Sequence, residues 1–297
     1  MTNLTLKQLR YFDAVARHGH FGRAAETCAV SQPALSVQIK ELEASLHIQL
    51  FERGPRHVRL TPFGEEFSER VRETLRTVDE LGEMARAAQS GLAARLRLGV
   101  IPTIAPYLLP KVIARLSTAY PGIDLAVRET QTERLLHELS EGRIDMALVA
   151  LPVSEAWLTE MPLFTEEFVL VRPKSDADRP VPTAQGLAQE KLLLLEEGHC
   201  FRDQALSFCG PHPLRGRNGL DGSSLTTLVQ MVAAGLGVTL LPQMAIGVET
   251  EAAEVALSRF AVAAPRRTVG VIWRKSSAMA PALSEAAKVF RGIDADP

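Results

Sequence analysis

One apolar stripe between residues 63 and 88 constrains the chain more than any other feature of the sequence. Apolar residues there recur at every third or fourth position, the spacing of one face of an α-helix of about seven turns. The stripe consists of Phe63, Phe67, Val71, Leu75, Val78, Leu81, Ala85 and Ala88. Thr61 and Pro62 supply a cap and a first helical residue, and Gln89-Ser90-Gly91 ends the pattern. The sequence therefore predicts a linker helix over residues 62–91.

A helix of this length with one apolar face typically pairs with a second copy of itself. We expect the stripe to be the seam of a homodimer, in which a charged side chain at Leu75 would break the pair. A lone core helix is the alternative. The helix divides the 297 residues into 1–61 and 92–297, and both segments are long enough to fold as domains.

Residues 1–61 show the pattern of a helix-turn-helix followed by a wing. Two short apolar-periodic segments flank Ala29-Val30, and Ser31 and Pro33 suit the start of the second segment. The inward-facing residues of that second helix are Leu35, Ile39 and Leu42. The polar turn at residues 52–57, between two apolar runs, reads as the hairpin of a wing. A plain three-helix domain is the alternative.

Charge and side-chain chemistry indicate that this segment binds DNA. Residues 1–60 hold eight Lys and Arg against five Asp and Glu, a net of +3, whereas the remaining residues hold 25 against 30, a net of −5. An anionic partner is therefore expected for the N-terminal segment alone. Small and amide side chains on the outer helix face suit base edges, and basic side chains suit phosphates. The candidate DNA-contacting residues are Ser31, Gln32, Pro33, Ser36, Gln38, Lys40, Arg53 and Arg56.

From Arg95 onward, short apolar strands alternate with amphipathic helices. This pattern predicts an α/β fold with a mostly parallel sheet and helices on both faces. We expect two α/β subdomains, with crossings near 163–168 and 262–268. Subdomain I then comprises 92–164 and 268–297, and subdomain II comprises 165–267. Ligands in such folds bind between subdomains at the carboxyl ends of strands, where Thr103, Thr130-Gln131-Thr132 and His199-Cys200 fall.

The segment from Gly198 to Cys209 contains two of the three cysteines. Gly198 breaks a predicted buried strand at 192–195, so Cys200 should lie at the start of a helix. The free N–H groups and dipole there, with positive charge from His199 and Arg202, should lower the pKa of the thiol. Cys209 would lie roughly 13–14 Å away along that helix, whereas a disulfide needs about 7 Å or less.

This spacing describes a switch, because the pair can close only if its own helix opens. The alternative is that both cysteines are small buried apolar residues, which is also the interpretation of Cys28 on the inward side of its helix. From the residues alone, both interpretations of Cys200 and Cys209 stay open.

The N-terminal motif resembles the winged helix of LysR-type transcriptional regulators. The resemblance rests on Phe21–Lys40, which includes Ser31-Gln32-Pro33-Ala34-Leu35-Ser36, and on Leu42-Glu43 and Leu50-Phe51-Glu52-Arg53. It implies a winged helix-turn-helix domain over 1–61, a dimerising linker helix over 62–91 and a sensor domain over 92–297. The family's sensor domain has the periplasmic-binding-protein fold of two α/β subdomains, as the strand pattern also indicates.

A second resemblance, to the peroxide-sensing members of that family, covers nearly the whole chain. It rests on Gly198-His199-Cys200 through Phe208-Cys209, Ile101-Pro102-Thr103 with Pro106–Pro110, Glu129 with Gln131-Thr132, and Pro265–Thr268. It implies that Cys200 is the peroxidatic cysteine and Cys209 the resolving one, and that the thiols form a disulfide. It also implies a peroxide site made of Thr103, Thr132, His199, Gln204 and Arg267. Strand alternation lets only one of Arg266 and Arg267 point into the cleft, and of the two we favour Arg267.

The resemblance also implies partners and a location. The expected partners are double-stranded promoter DNA, RNA polymerase, hydrogen peroxide, and glutaredoxin or thioredoxin as reductant. The chain is also expected to pair with copies of itself, as a homodimer or homotetramer. No metal or cofactor is expected. The N-terminus lacks the pattern of a signal peptide and no run of 18 apolar residues exists, so a cytoplasmic protein without a membrane span is expected.

Two other functions compete with a peroxide sensor. A LysR-type regulator could bind a small carboxylate in the same cleft, and its response would not depend on Cys200. A thiol peroxidase would consume peroxide over many turnovers, but such an enzyme would have no use for the helix-turn-helix of residues 21–40.

Overall fold

In the computed structural model, the chain is described over residues 4–54, 58–90, 95–209, 221–261 and 264–293. It divides into two compact units, residues 1–83 and 84–297. The boundary therefore falls inside the long helix rather than at either of its ends.

The first unit is a helical domain with a two-stranded hairpin. Its elements are α1 (Leu6–His18), α2 (Phe21–Thr27), α3 (Gln32–Leu46), β1 (Phe51–Arg53), β2 (Val58–Leu60) and α4 (Pro62–Ser90). Ser31 caps α3, since its hydroxyl accepts a hydrogen bond from the Ala34 N–H at 3.4 Å. Leu35, Ile39 and Leu42 are fully buried on the inner face of α3, as predicted. The helix-turn-helix and the antiparallel hairpin of the wing are confirmed.

Helix α4 begins as predicted, because the Thr61 hydroxyl accepts a hydrogen bond from the Gly64 N–H at 3.0 Å. Gly64 allows the helix to approach β1 closely, since a Cβ there would lie 2.2 Å from the Leu50 carbonyl oxygen. Part of the apolar stripe packs against the first unit, and a position further along the helix is exposed. Phe67, Val71 and Leu75 pack against the core of the first unit, whereas Leu81 is 61% exposed.

Leu75 is half-buried and packs against the core of its own unit, and its place in a dimer seam stays a prediction. A charge at this position would disturb the fold of the first unit as well as any pairing. The side chains of Ala85 and Ala88, which complete the predicted stripe, lie outside the described residues.

The second unit is built on a seven-stranded sheet with the order β10-β6-β11-β5-β3-β4, in which β9 also pairs with β6. Its strands are β3 (Arg95–Val100), β4 (Asp124–Glu129), β5 (Met146–Leu151), β6 (Leu158–Pro173), β9 (Thr239–Pro242), β10 (Val255–Ser258) and β11 (Arg266–Arg274). A separate parallel pair consists of β7 (Leu194–Leu195) and β8 (Asp221–Gly222). The helices are α5 (Ala105–Ala119), α6 (Thr132–Ser140), α7 (Ala184–Gln189), α8 (Cys200–Cys209), α9 (Leu225–Ala233), α10 (Ile246–Glu249) and α11 (Ala280–Lys288).

The sheet is mixed, so the prediction of a mostly parallel sheet is wrong. Only β3 pairs in parallel, with β4 and β5, whereas β6 and β11 run antiparallel to their neighbours. The cause is β6, a single strand of 16 residues. It pairs with β11 along its first part and with β9 and β10 along its second.

Two hydrophobic cores flank this long strand. One core includes Leu158 at the start of β6 together with β3, β5, β11 and α11. The other includes Phe168 and Leu170 from its second half together with β9, α8 and α9. Strand β6 thus joins two α/β halves, as in a periplasmic-binding-protein-like domain. No helix in the described parts of the chain is both long enough and apolar enough to span a bilayer.

Candidate functional site

Cys200 is the first residue of α8 and follows a sharp turn out of β7. Gly198 makes this turn with a φ of 91°, a conformation that L side chains rarely adopt. A Cβ on Gly198 would also lie 2.6 Å from the Gln131 Oε1 atom. Gln131 in turn donates from Nε2 to the Glu197 carbonyl at 3.3 Å. The thiol is therefore held at a helix start, as the sequence predicted.

The ends of β3, β4 and β7 bring several predicted site residues to the Cys200 thiol. Thr103, Thr132, His199 and Cys200 line one narrow pocket, together with Gln131. The pocket leaves no room for a water-sized molecule. Residues far apart in the chain thus meet around one sulfur atom, as the strand-end argument predicted.

Arg267 is fully buried and is fixed by three charged or polar contacts. Its Nε donates to Glu166 Oε1 at 2.8 Å, and its two terminal nitrogens donate to the Thr103 hydroxyl at 2.8 Å and the Thr103 carbonyl at 2.9 Å. Glu166 also accepts from the Met244 N–H at 2.9 Å. Arg266 is exposed and lies 3.9 Å from Glu167. Strand alternation therefore points Arg267, and not Arg266, into the protein.

Two buried acceptors near the thiol lack a hydrogen-bond donor. Gln204 lies one turn after Cys200, and its Oε1 is buried with no hydrogen-bond partner in the described chain. The Thr132 hydroxyl oxygen is likewise buried and accepts no hydrogen bond there. An unsatisfied buried polar atom costs free energy. Both oxygens therefore remain available as hydrogen-bond acceptors.

Burial raises the pKa of the Cys200 thiol above its usual value. A hydrogen bond from Thr132, the Arg267 charge and the Phe201 N–H oppose this rise, whereas the Asp203 charge adds to it. The prediction of a lowered pKa is therefore wrong for the resting site. Desolvation disfavours the thiolate more than the nearby positive groups favour it.

The positive charges expected beside Cys200 are not available to it. Arg202 is buried and bonds instead to the Leu195 carbonyl at 2.5 Å and to Asp221 at 3.1 Å. Burial lowers the pKa of His199, so its imidazole is favoured in the neutral form. Arg267 replaces them as the cation whose charge favours the thiolate.

Cys209, the last residue of α8, is 1% exposed, and both thiols are free. Burial raises the pKa of the Cys209 thiol. Because α8 is continuous from Cys200 to Cys209, the two Cα atoms are roughly 13–14 Å apart at 1.5 Å per residue. The predicted separation is therefore present in the reduced chain. Residues 210–217, whose Pro and Gly content was expected to affect Cys209, lie outside the described residues.

A wider cleft of about 480 Å³ adjoins the narrow pocket, and Thr103, Gln131 and His199 line both. Across the cleft, the Tyr107 hydroxyl donates to Glu249 Oε1 at 2.6 Å. Burial and this bond raise the pKa of Tyr107. Neither Glu249 nor Glu166 was predicted as a site residue. Strand pairing alone could have indicated Glu166, which lies directly opposite Arg267.

Six of the eight candidate DNA-contacting residues lie at the start or on the outer face of α3. Gln32, Pro33 and Lys40 are exposed, and Ser36 and Gln38 are half-buried. The backbone of Arg53 lies in β1, and Arg56 lies outside the described residues. Within the described ranges, no group of three or more His, Cys, Asp or Glu side chains is placed to hold a metal ion.

Two family models match the chain. Residues 6–65 match the bacterial regulatory helix-turn-helix protein of the lysR family, and residues 89–292 match the LysR substrate binding domain. Together they cover both units of the structure.

Curated relatives match over nearly the full length. A probable hydrogen peroxide-inducible genes activator from Streptomyces viridosporus is 44% identical, over 97% of this chain and 93% of the relative. The DNA-binding transcriptional dual regulator OxyR of Escherichia coli K12 is 38% identical, over 97% of this chain and 95% of the relative.

Solved structures agree with these relatives. A full-length OxyR variant from Pseudomonas aeruginosa, with a cysteine replaced by aspartate, matches with a TM-score of 0.72 and 38% identity. The match covers 98% of this chain and 96% of that one. A cysteine-to-serine variant of Corynebacterium glutamicum OxyR bound to hydrogen peroxide matches with a TM-score of 0.64 and 35% identity, over 99% and 93% of the two chains.

Proposed function

This chain belongs to the OxyR group of LysR-type transcriptional regulators, and from that premise we propose how it senses hydrogen peroxide and passes the signal to DNA. It is a DNA-binding regulator that responds to peroxide through the oxidation of Cys200. The observation that carries the mechanism is the enclosure of Cys200 by Thr103, Thr132 and Arg267 at the start of α8.

The first step is nucleophilic attack by the Cys200 thiolate on one peroxide oxygen. The sulfur forms a bond to that oxygen, the O–O bond breaks, and the products are Cys200 sulfenic acid and hydroxide. Arg267 and Thr132 favour the thiolate, and Thr103, His199 and Gln204 hold the peroxide. The unsatisfied Gln204 and Thr132 oxygens support this assignment, because hydrogen peroxide can donate a hydrogen bond to each once the narrow pocket widens to admit it.

The second step joins the two cysteines. The Cys209 thiol attacks the sulfenic sulfur, a disulfide forms, and water leaves with the sulfenic oxygen. The Cα atoms must approach to about 6 Å, so α8 has to open. Each protein reacts once until a glutaredoxin or thioredoxin reduces it. This stoichiometric chemistry is that of a sensor rather than of a turnover enzyme.

The opened α8 transmits the signal to promoter DNA. Gln32, Ser36 and Gln38, with Ser31 and Pro33 at the helix start, are assigned to base edges, and Lys40, Arg53 and Arg56 to phosphates. The exposure of the first turn of α3 supports this assignment. Two or four copies of the chain would shift on their half-sites and change contact with RNA polymerase in the cytoplasm. In this mechanism the DNA-binding domain is residues 1–61, the linker helix is residues 62–91, and the redox-sensing domain is residues 92–297.

Glutamate in place of Leu81 should weaken the dimer by at least roughly 100-fold. Leu81 is exposed in the single chain, so its apolar surface is available to a second copy, where a buried carboxylate would be costly. Sedimentation velocity measures the effect. Arg76→Glu, on another face of α4, is the control and should remain dimeric. A dimeric Leu81→Glu protein would place the seam elsewhere.

Mass spectrometry of the intact protein before and after mild peroxide tests the mechanism. The expected result is the loss of two hydrogens, mapped to a peptide pair joining Cys200 and Cys209, with a changed DNA footprint. A ligand-dependent DNA response that survives Cys200→Ser would instead favour a small carboxylate bound in the cleft. Sustained turnover of peroxide would favour an enzyme.

A further inference from the structure

We propose that Phe260 is a positioning residue that holds the last turn of α8 closed and thereby sets the rate at which Cys209 reaches oxidised Cys200. The inference rests on the proposed function, because it concerns the second step of that chemistry. Phe260 lies outside the proposed peroxide site, and in this role it controls the closure of the disulfide.

The first turn of α8 is firmly anchored. Phe201 is buried, and its ring packs against Phe168 with centroids 4.9 Å apart. Arg202 is buried and bonds to both β7, through the Leu195 carbonyl, and β8, through Asp221. Moving this turn would break an aromatic contact and leave a buried guanidinium without its partners, which is costly. Cys200 therefore stays in place while the helix opens.

Among the contacts described for it, the last turn of α8 is held to the rest of the domain by apolar ones alone. Phe208 is half-buried, and its ring meets that of Phe260 edge-on, with centroids 5.2 Å apart and an interplanar angle of 68°. Phe260 follows β10 and belongs to a different part of the chain, so this contact ties α8 to the body of the domain. Cys209 directly follows Phe208 in the chain and is buried.

Disulfide closure must break this contact. The Cys209 sulfur has to bond to the Cys200 sulfur while the sulfenic oxygen leaves as water. Because the first turn is anchored, Cys209 makes most of the movement of about 7 Å between the helical and disulfide separations. Phe208 precedes Cys209 and cannot keep its ring on Phe260 during this movement. The Phe208–Phe260 contact therefore stabilises the helical state and not the closing one.

Phe260→Ala should speed disulfide closure by about tenfold while the oxidation of Cys200 to sulfenic acid keeps its rate. The expected size follows from the stabilising free energy of an edge-to-face aromatic pair and of the apolar area that it buries. Rapid-mixing experiments with hydrogen peroxide, quenched by a thiol-blocking reagent and read by mass spectrometry, resolve the two steps. Phe260→Leu keeps much of the apolar bulk and should be intermediate. Leu257→Ala, at an exposed position of β10, should match the wild type.

Two further readouts separate this role from general loosening of the fold. At high peroxide, Phe260→Ala should give less sulfinic acid, because closure competes with a second oxidation of Cys200. Its disulfide should also be harder to reduce, with a potential about 30 mV more negative for a tenfold change in the equilibrium constant. A faster first step would instead indicate a loosened peroxide site.

The outcomes distinguish this inference from the proposed function. If peroxide never forms the Cys200–Cys209 disulfide in the wild-type protein, the proposed function fails. If the wild type forms it and Phe260→Ala closes at the same rate or more slowly, the positioning role of Phe260 is refuted. Should Phe260→Ala be too unstable to study, Phe260→Leu carries the same test with a smaller expected increase.

Discussion

The Cys209→Ser protein should react with peroxide at the wild-type rate and yet show no opening of α8. The Cys200 thiol and its polar neighbours are unchanged by this substitution, so the sulfenic acid still forms. Without a second thiol it persists or is oxidised to the sulfinic form. Hydrogen exchange over residues 201–209, followed by mass spectrometry with and without peroxide, should rise on oxidation in the wild type only.

Cys200→Ser is the matched control and should neither consume peroxide nor change its DNA footprint. The two variants thus separate reaction from response. The span of roughly 13 Å along α8 must shrink to about 6 Å, so helix opening is a geometric requirement of the disulfide. Unchanged protection of residues 201–209 in the oxidised wild-type protein would refute the switch, even if Cys200 proved reactive.

Replacing Arg267 by glutamine should slow the peroxide oxidation of Cys200 at neutral pH by at least roughly 100-fold. Arg267 favours the thiolate, so its removal raises the pKa of Cys200 further and moves the pH profile of the reaction upward. The substitution also removes two donors that orient Thr103. Stopped-flow measurements of the oxidation rate across pH separate these two effects. At a pH above the raised pKa of Cys200 the thiol is ionised in both proteins, so any rate still missing in the variant is due to the two lost hydrogen-bond donors.

Arg266→Gln is the control on the same strand. Arg266 is exposed and only distantly paired with Glu167, so its loss should change the rate less than twofold. Because Arg267→Gln leaves the Glu166 carboxylate buried without its ion-pair partner, the double variant Glu166→Gln/Arg267→Gln tests for a folding defect. It should fold well and remain slow. Equal rates in the Arg266 and Arg267 variants would remove Arg267 from the reaction.

The positions of the site residues were predictable where a local rule fixes them. Gly198 ends a strand, Cys200 opens a helix, and Thr103 and Thr132 follow strands, so sequence patterns brought them to one edge. Strand alternation allowed only one of Arg266 and Arg267 to point inward, and Arg267 is the buried one.

The electrostatics of the site could not be predicted in the same way. Whether Arg202 faces the thiol or Asp221 depends on the pairing of β7 with β8, which is a tertiary arrangement. Burial is the largest cause of the raised pKa of Cys200, and it depends on everything packed around α8. The antiparallel share of the sheet was missed because β6 carries no break in its pattern where it passes between the two cores.

The ion pair between Arg202 and Asp221 has a consequence for how the switch can vary among related chains. It joins the first turn of α8 to β8, beside the Leu195 carbonyl. The anchor at the Cys200 end of the helix therefore does not depend on the contacts at the Cys209 end. The response time of such a sensor is adjustable as a separate property, through the contacts of the last turn of α8, while the chemistry that detects the oxidant stays the same.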